Sequence, residues 1–159
     1  MFVKQAYTGT REEQYETLLR QLTGLIEGEP NRIANLANAA ALLNQFLDDV
    51  NWVGFYLLEG EELVLGPFQG LPACVRIPVG KGVCGTAISR GEAILVDDVH
   101  RFPGHIACDS ATNSELVIPL RRGDGLIGVL DLDSPSFARF DLTDLHYLTR
   151  FADTLAAHL

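Results

Sequence analysis

No run of apolar residues in this chain of 159 approaches the roughly 18 that a membrane-spanning helix needs. The opening Met1-Phe2-Val3-Lys4-Gln5 also lacks the apolar core of a signal peptide. A cytoplasmic protein without a membrane partner is therefore expected. Positive charge is scarce: 12 Lys and Arg stand against 21 Asp and Glu, a formal net charge of −9. That balance argues against a general affinity for nucleic acid or anionic lipid. Cysteine is scarce as well, with Cys74, Cys84 and Cys108 the full set. An odd number in a reducing compartment excludes a framework of structural disulfides, and the absence of any Cys-x-x-Cys pair removes the usual zinc signature. His100 and His105 could in principle add ligands, but a metal site is not expected. Repeats, low-complexity tracts and interdomain linkers are missing too, so residues 1–159 are expected to form one domain.

What the chain does contain is an alternation of helical and extended patterns. Thr10-Arg11-Glu12-Glu13 matches a capping box, and Leu18, Leu19, Leu22, Leu25 and Ile26 recur at helical spacing until Gly28 and Pro30. A second helix is predicted from about Asn31, with Ile33, Leu36, Ala37, Ala40, Leu43, Phe46 and Leu47 on one stripe. From Asn51 the period becomes two. Trp52, Gly54, Tyr56 and Leu58 alternate with Val53, Phe55 and Leu57, a strand covered on both faces. Glu59-Gly60-Glu61 turns into a second strand, Glu62 to Phe68, and the loop Gly70 to Cys74 leads to a short extended piece, Val75 to Val79.

Gly80-Lys81-Gly82-Val83-Cys84-Gly85 resembles a phosphate loop only superficially, since it lacks the Lys-[Ser/Thr] ending. A short helix from Val83 to about Ser89, closed by Gly91, fits better and puts Cys84 on its first turn, where the helix dipole favours a thiolate. A strand Glu92 to Val96 follows. The segment from Asp97 to Ser114 then forms a long loop, of a length usually reserved for function. Cys108 lies in it, between Pro103-Gly104 and the polar run Ser110 to Ser114, and such turn chemistry keeps a side chain at the surface. Two readings are open: a redox nucleophile, or a buried structural cysteine.

Glu115 to Leu120 and Gly125 to Asp133 are predicted to pair as a hairpin across Arg121 to Asp124. Strand alternation puts Ile127, Val129, Asp131 and Asp133 on one face, the two aspartates about 6.6 Å apart. Closing the hairpin brings Glu115 opposite Asp131 or its immediate neighbour. Facing like charges destabilise a sheet, so three convergent carboxylates call for a cation; alternatively the aspartates splay into solvent at the strand end. Ser134-Pro135 ends the sheet, and Asp141 caps a final helix with Leu145, Leu148, Phe151, Ala152 and Leu155 as its buried stripe.

The series Asn51-Trp52-Val53-Gly54-Phe55-Tyr56, Gly66-Pro67-Phe68-Gln69-Gly70, Pro72-Ala73-Cys74, Gly80-Lys81-Gly82-Val83-Cys84-Gly85, Phe102-Pro103-Gly104-His105-Ile106-Ala107-Cys108-Asp109, Ser114-Glu115 and Gly128-Val129-Leu130-Asp131-Leu132-Asp133-Ser134 resembles the free methionine-(R)-sulfoxide reductases, which are GAF-domain enzymes. The resemblance covers nearly the whole chain. It implies an α+β fold, a GAF-like central antiparallel β-sheet with helices packed on it. It also implies reduction of free L-methionine-(R)-sulfoxide to methionine, thioredoxin as reductant, no cofactor, and a homodimer. By motif, Cys108 resembles the attacking cysteine, Cys74 the resolving one and Cys84 an auxiliary third. Glu115, Asp131 and Asp133 resemble the substrate-binding carboxylates, with Trp52 and Tyr56 the apolar wall for the methyl-sulfoxide end.

These residue types suit that chemistry. A thiolate attacking a sulfoxide sulfur becomes a sulfenic acid, and a second cysteine condenses with it to a disulfide that a dithiol then exchanges away. Carboxylates that grip an α-ammonium select a free amino acid over a methionine within a polypeptide. Carboxylates near Cys108 also disfavour its thiolate until a bound ammonium offsets them. Two other readings compete: a GAF module sensing a small ligand, and a thiol switch without turnover.

Overall fold

The computed structural model describes residues 2–159. Its elements run α1 (Arg11–Ile26), α2 (Arg32–Phe46), β1 (Trp52–Glu59), β2 (Glu62–Gly70), β3 (Arg76–Pro78), α3 (Gly82–Arg90), β4 (Ile94–Val96), a 3-10 turn (Val99–Arg101), β5 (Ser114–Arg122), β6 (Gly125–Ser134) and α4 (Leu142–Ala156). The six strands form one antiparallel sheet in the order β3-β2-β1-β6-β5-β4. The expected α+β architecture, helices on a central antiparallel sheet, is what the chain adopts.

The sheet's two faces do different jobs. One is covered by α2 and α4, with α1 packed against both, and here Phe55, Leu116, Ile118, Leu130 and Leu132 share the larger core with Leu18, Leu22, Leu36, Leu43, Leu148 and Phe151. The other is covered by the short α3 and the long loops, where Trp52, Tyr56, Val117 and Val129 meet Ile77, Val83 and Ala87. Strand alternation sends successive residues to these two sides. A thinner cover leaves room for a site on the second.

The helices begin as expected. Thr10 and Glu13 close a capping box on α1, Asn31 caps α2 through its bond from the Ala34 amide, and Asp141 and Asp144 close a second box on α4. The stripe of α2 is rotated from the expected one: Ile33 and Ala37 face solvent, while Asn35 and Ala39 are buried. Asn35 turns inward because its amide group donates to the carbonyls of Glu29 (3.0 Å) and His158 (3.4 Å), which satisfies a polar group in the core. Asp144 is likewise buried; it accepts from Tyr15 OH at 2.5 Å and pairs with Arg11 and Arg139, tying α1 to α4.

One irregularity decides which face the site uses. The β5–β6 turn is tighter than expected, with Arg122 opposite Gly125, and a bulge follows at once: Arg121 pairs with Leu126 but Leu120 with Gly128. Ile127 is the extra residue, and it packs toward the larger core instead of sharing the face of Val129. Without the bulge Glu115 would stand opposite Leu132, whose side chain lies in the helix-covered core. With it Glu115 pairs with Asp133, and Val117 with Asp131. Residues directly opposite in a ladder share a face, so this bulge brings Glu115 to the same side as both aspartates.

Candidate active site

The site is built on β1, β5 and β6 and closed by α3 and two loops. Along β1, Trp52 and Tyr56 point to the same side, their rings stacked with centroids 5.8 Å apart, and Phe68 of β2 continues the wall 5.1 Å from Trp52. Gly54, between them, makes that wall possible: a Cβ there would lie 2.9 Å from the Trp52 ring and collide with Phe68. Both polar tips hold the loop after β2. Trp52 Nε1 donates to the Leu71 carbonyl (3.1 Å), and Tyr56 OH donates to the Cys74 carbonyl (2.9 Å). Burial and the nearby carboxylates, Asp131 first, push the Tyr56 phenol up, so it stays a donor.

Glu115 and Asp131 are each 6% exposed, and Asp133 is half-buried beside them. Oδ1 of each aspartate has no hydrogen-bond partner among the described residues. Desolvation, reinforced by the neighbouring carboxylates, holds all three carboxyls well above their ordinary range. Of the two readings of this strand end, convergence is what the fold produces, and solvent does not relieve the charge. The hairpin pairs Glu115 with Asp133, not with Asp131 or the residue adjoining it, because of the bulge at Ile127.

The cysteines divide into a pair and a single. Cys74 and Cys108 are joined by a disulfide between the two loops, Cα atoms 5.7 Å apart. The sequence excludes a disulfide framework, and this single loop-to-loop bond is a different object. Cys108 is exposed, in keeping with its turn setting. Cys84 is free and buried, with its sulfur 4.0 Å from Glu115 Oε1. The expectation of a helix-stabilised Cys84 thiolate is overturned: burial, then the charges of Asp131 and Glu115, push this thiol well up, and they outweigh the dipole of a short helix.

One pocket connects these groups. Cys108 lies at its lining together with Cys84, Trp52, Tyr56, Glu115, Asp131 and Asp133; Cys74 alone of the expected residues stands behind, bonded to Cys108. With the disulfide formed, the room left for the centre of a water-sized sphere is about 30 Å³. That holds an ion or a water or two, not an amino acid.

Sequence reasoning missed a clamp and undervalued a histidine. Asn51 Nδ2 donates to Asp109 Oδ2 (2.9 Å) and Thr112 Oγ1 (3.0 Å), fastening the Cys108 loop to the start of β1. His105 is the one basic side chain on the lining, its Nε2 3.6 Å from Glu115 Oε2, and desolvation lowers its pKa. Asn51 is separated from Asp109 by 58 positions, so no local pattern announces the bond.

A six-stranded antiparallel sheet with helices on one face and a loop-covered pocket on the other defines a GAF domain, and a family model described as GAF domain matches residues 31–159. A free methionine-R-sulfoxide reductase of Escherichia coli (strain K12) is 57% identical over 130 residues, covering 82% of this chain and 79% of the relative. Among solved structures, the free methionine-R-sulfoxide reductase of Neisseria meningitidis in complex with its substrate superposes with a TM-score of 0.94 at 43% identity, over 99% of this chain and 95% of that one. The reduced form of the Staphylococcus aureus enzyme gives 0.89 at 51% identity, over 98% and 99%. The chain belongs to the GAF-domain family and, within it, to the free methionine-R-sulfoxide reductases, a family of enzymes.

Proposed function

We propose that this protein reduces free L-methionine-(R)-sulfoxide to L-methionine through a sulfenic acid and a Cys74–Cys108 disulfide. The observation that carries the reading is the placement of the exposed Cys108, bonded to Cys74, in one pocket with the largely buried Glu115–Asp131–Asp133 cluster. The substrate's ammonium replaces the charge compensation that the three carboxyls lack, and its methyl-sulfoxide end lies against Trp52 and Tyr56. The Cys108 thiolate bonds to the sulfoxide sulfur as the oxygen takes up a proton. The hydroxyl then passes to the Cys108 sulfur, so that the methionine S–O bond and the transient S–S bond break as a Cys S–O bond forms, leaving methionine and a sulfenic acid on Cys108. Glu115, whose carboxyl burial pushes well above its ordinary range, is the proton donor. Cys74 then displaces the oxygen as water and forms the disulfide. Thioredoxin, a dithiol, supplies the two electrons and two protons that reopen it. No cofactor takes part, Cys84 is auxiliary, and the working unit is a cytoplasmic homodimer.

Reduction of the free sulfoxide to methionine, beside reduction of a blocked peptide carrying the same sulfoxide, with a dithiol present, tests the assignment. Turnover of the free (R)-sulfoxide alone is expected. Cys108→Ser is expected to abolish turnover, by at least about a thousandfold, while calorimetry still detects substrate binding. Equal rates on peptide and free substrate, or full activity in Cys108→Ser, would overturn it.

A further inference from the structure

The pocket floor contains a second donor set. Cys84 Sγ, a Glu115 carboxylate oxygen and an Asp131 carboxylate oxygen all lie within 4.8 Å of one another, and all three residues are buried. They come from α3, β5 and β6, so packed elements fix the arrangement, not a mobile loop. A second observation concerns the same side chain: Asp131 Oδ1 has no hydrogen-bond partner among the described residues although the residue is only 6% exposed. His105 Nε2, 3.6 Å from Glu115 Oε2, lies outside that set and would have to move inward to serve as a fourth donor.

The donor types narrow the ligand. Magnesium and calcium take six or more oxygens, and a floor with one sulfur does not supply them. A tetrahedral zinc-class ion binds sulfur at about 2.3 Å and carboxylate oxygen at about 2.0–2.2 Å. Such bonds set sulfur and oxygen roughly 3.5 Å apart, so the 4.0 Å between Cys84 and Glu115 needs a shift of a few tenths of an ångström. The remaining room, about 30 Å³, admits a bare ion.

We propose that Cys84, Glu115 and Asp131, with His105 or water as fourth ligand, form a site for a thiophilic divalent cation of the zinc class, and that this ion and the amino-acid substrate exclude one another. Binding forms a metal–thiolate bond, expels the Cys84 proton and any carboxyl proton, and changes no oxidation state. The ion part stands by itself; the exclusion part rests on the substrate reading above, because both ligands claim the same carboxylates.

Co²⁺ titrated into the disulfide form tests the site, since Cys84 is then the one free thiol. A near-ultraviolet thiolate-to-cobalt band is expected, saturating at one ion per chain, displaced by Zn²⁺ and missing from Cys84→Ala. Asp131→Asn, which keeps the thiol, is expected to weaken the ion by about tenfold or more, at least what loss of an outer-shell partner costs. No band, a band surviving in Cys84→Ala, or unchanged affinity in Asp131→Asn overturns the site. For the exclusion, the double variant Cys74→Ser/Cys108→Ser keeps only Cys84 and leaves the pocket open. Added methionine should erase its cobalt band. A band indifferent to methionine, in a variant that binds methionine by calorimetry when metal-free, overturns the exclusion; no calorimetric binding would instead count against the substrate reading.

Discussion

Asp131 is in conflict between folding and function. Its carboxyl is buried, lacks a partner for Oδ1 and lies beside Glu115 on the neighbouring strand. Asparagine has nearly the same shape without the charge. Asp131→Asn is therefore expected to raise the stability of the ligand-free protein by about 1 kcal/mol or more, the scale of one unit of pKa perturbation, while costing substrate affinity at least about tenfold. Thermal melting beside calorimetry with methionine checks both halves; a variant that melts lower than the parent would contradict the charge conflict. Much at this scale was legible. Cys108 stood out because its turn residues place it at the surface, and Asp131 and Asp133 because strand alternation puts them together. Asn51 and His105 were not, since their partners are set by chain closure. Cys84 was misjudged because a helix's first turn says nothing of what packs over it.

At the scale of elements, the sheet depends on close backbone approach as much as on apolar pairing. Gly128 stands opposite Leu57 of β1 and Leu120 of β5, and a Cβ there would fall within contact distance of the Tyr56 carbonyl oxygen. That atom is backbone in a central strand and cannot swing away. Gly128→Ala is expected to cost about 1–3 kcal/mol, the range for overpacking, and to displace β6 enough to weaken substrate binding as well. Urea unfolding and methionine titration measure the two losses, and an unaltered midpoint would show that β6 yields there. Strands and helices were foreseeable from periodicity within a residue or two. The Ile127 bulge was not: an inserted residue leaves hydrophobic alternation nearly unchanged on either side, yet it reassigns Glu115 from the core face to the pocket. Likewise the predicted stripe of α2 leaves out Asn35, because its burial depends on partners outside the helix, the carbonyls of Glu29 and His158.

For the molecule as a whole, these charges set a dependence of stability on pH. Glu115, Asp131 and Asp133 have folded pKa values above their unfolded ones. The stability this confers is complete below the ordinary carboxylate range near pH 4 and is lost as pH rises through the folded values. Asp141, lowered to about 2 by its hydrogen bond to Arg11, acts in the opposite sense and loses its contribution as pH falls toward 2. His105, depressed by desolvation, opposes the trio between its folded value and about 6.5. It is one ring against two buried acids and a third half-buried beside them, so the trio prevails. The disulfide form is expected to melt highest in mildly acidic buffer and lower at neutral pH, with the slope reduced in Asp131→Asn. A melting temperature that climbs steadily from pH 4 to 8 would rule this out.

The bond between Cys74 and Cys108 joins the two loops that roof the pocket, and little space is left beneath it. On the proposed reaction that bond is also the product of each turnover. Chemistry and access are thus interlocked: having spent its electrons, the protein shuts itself against the next sulfoxide until a reductant unlatches it.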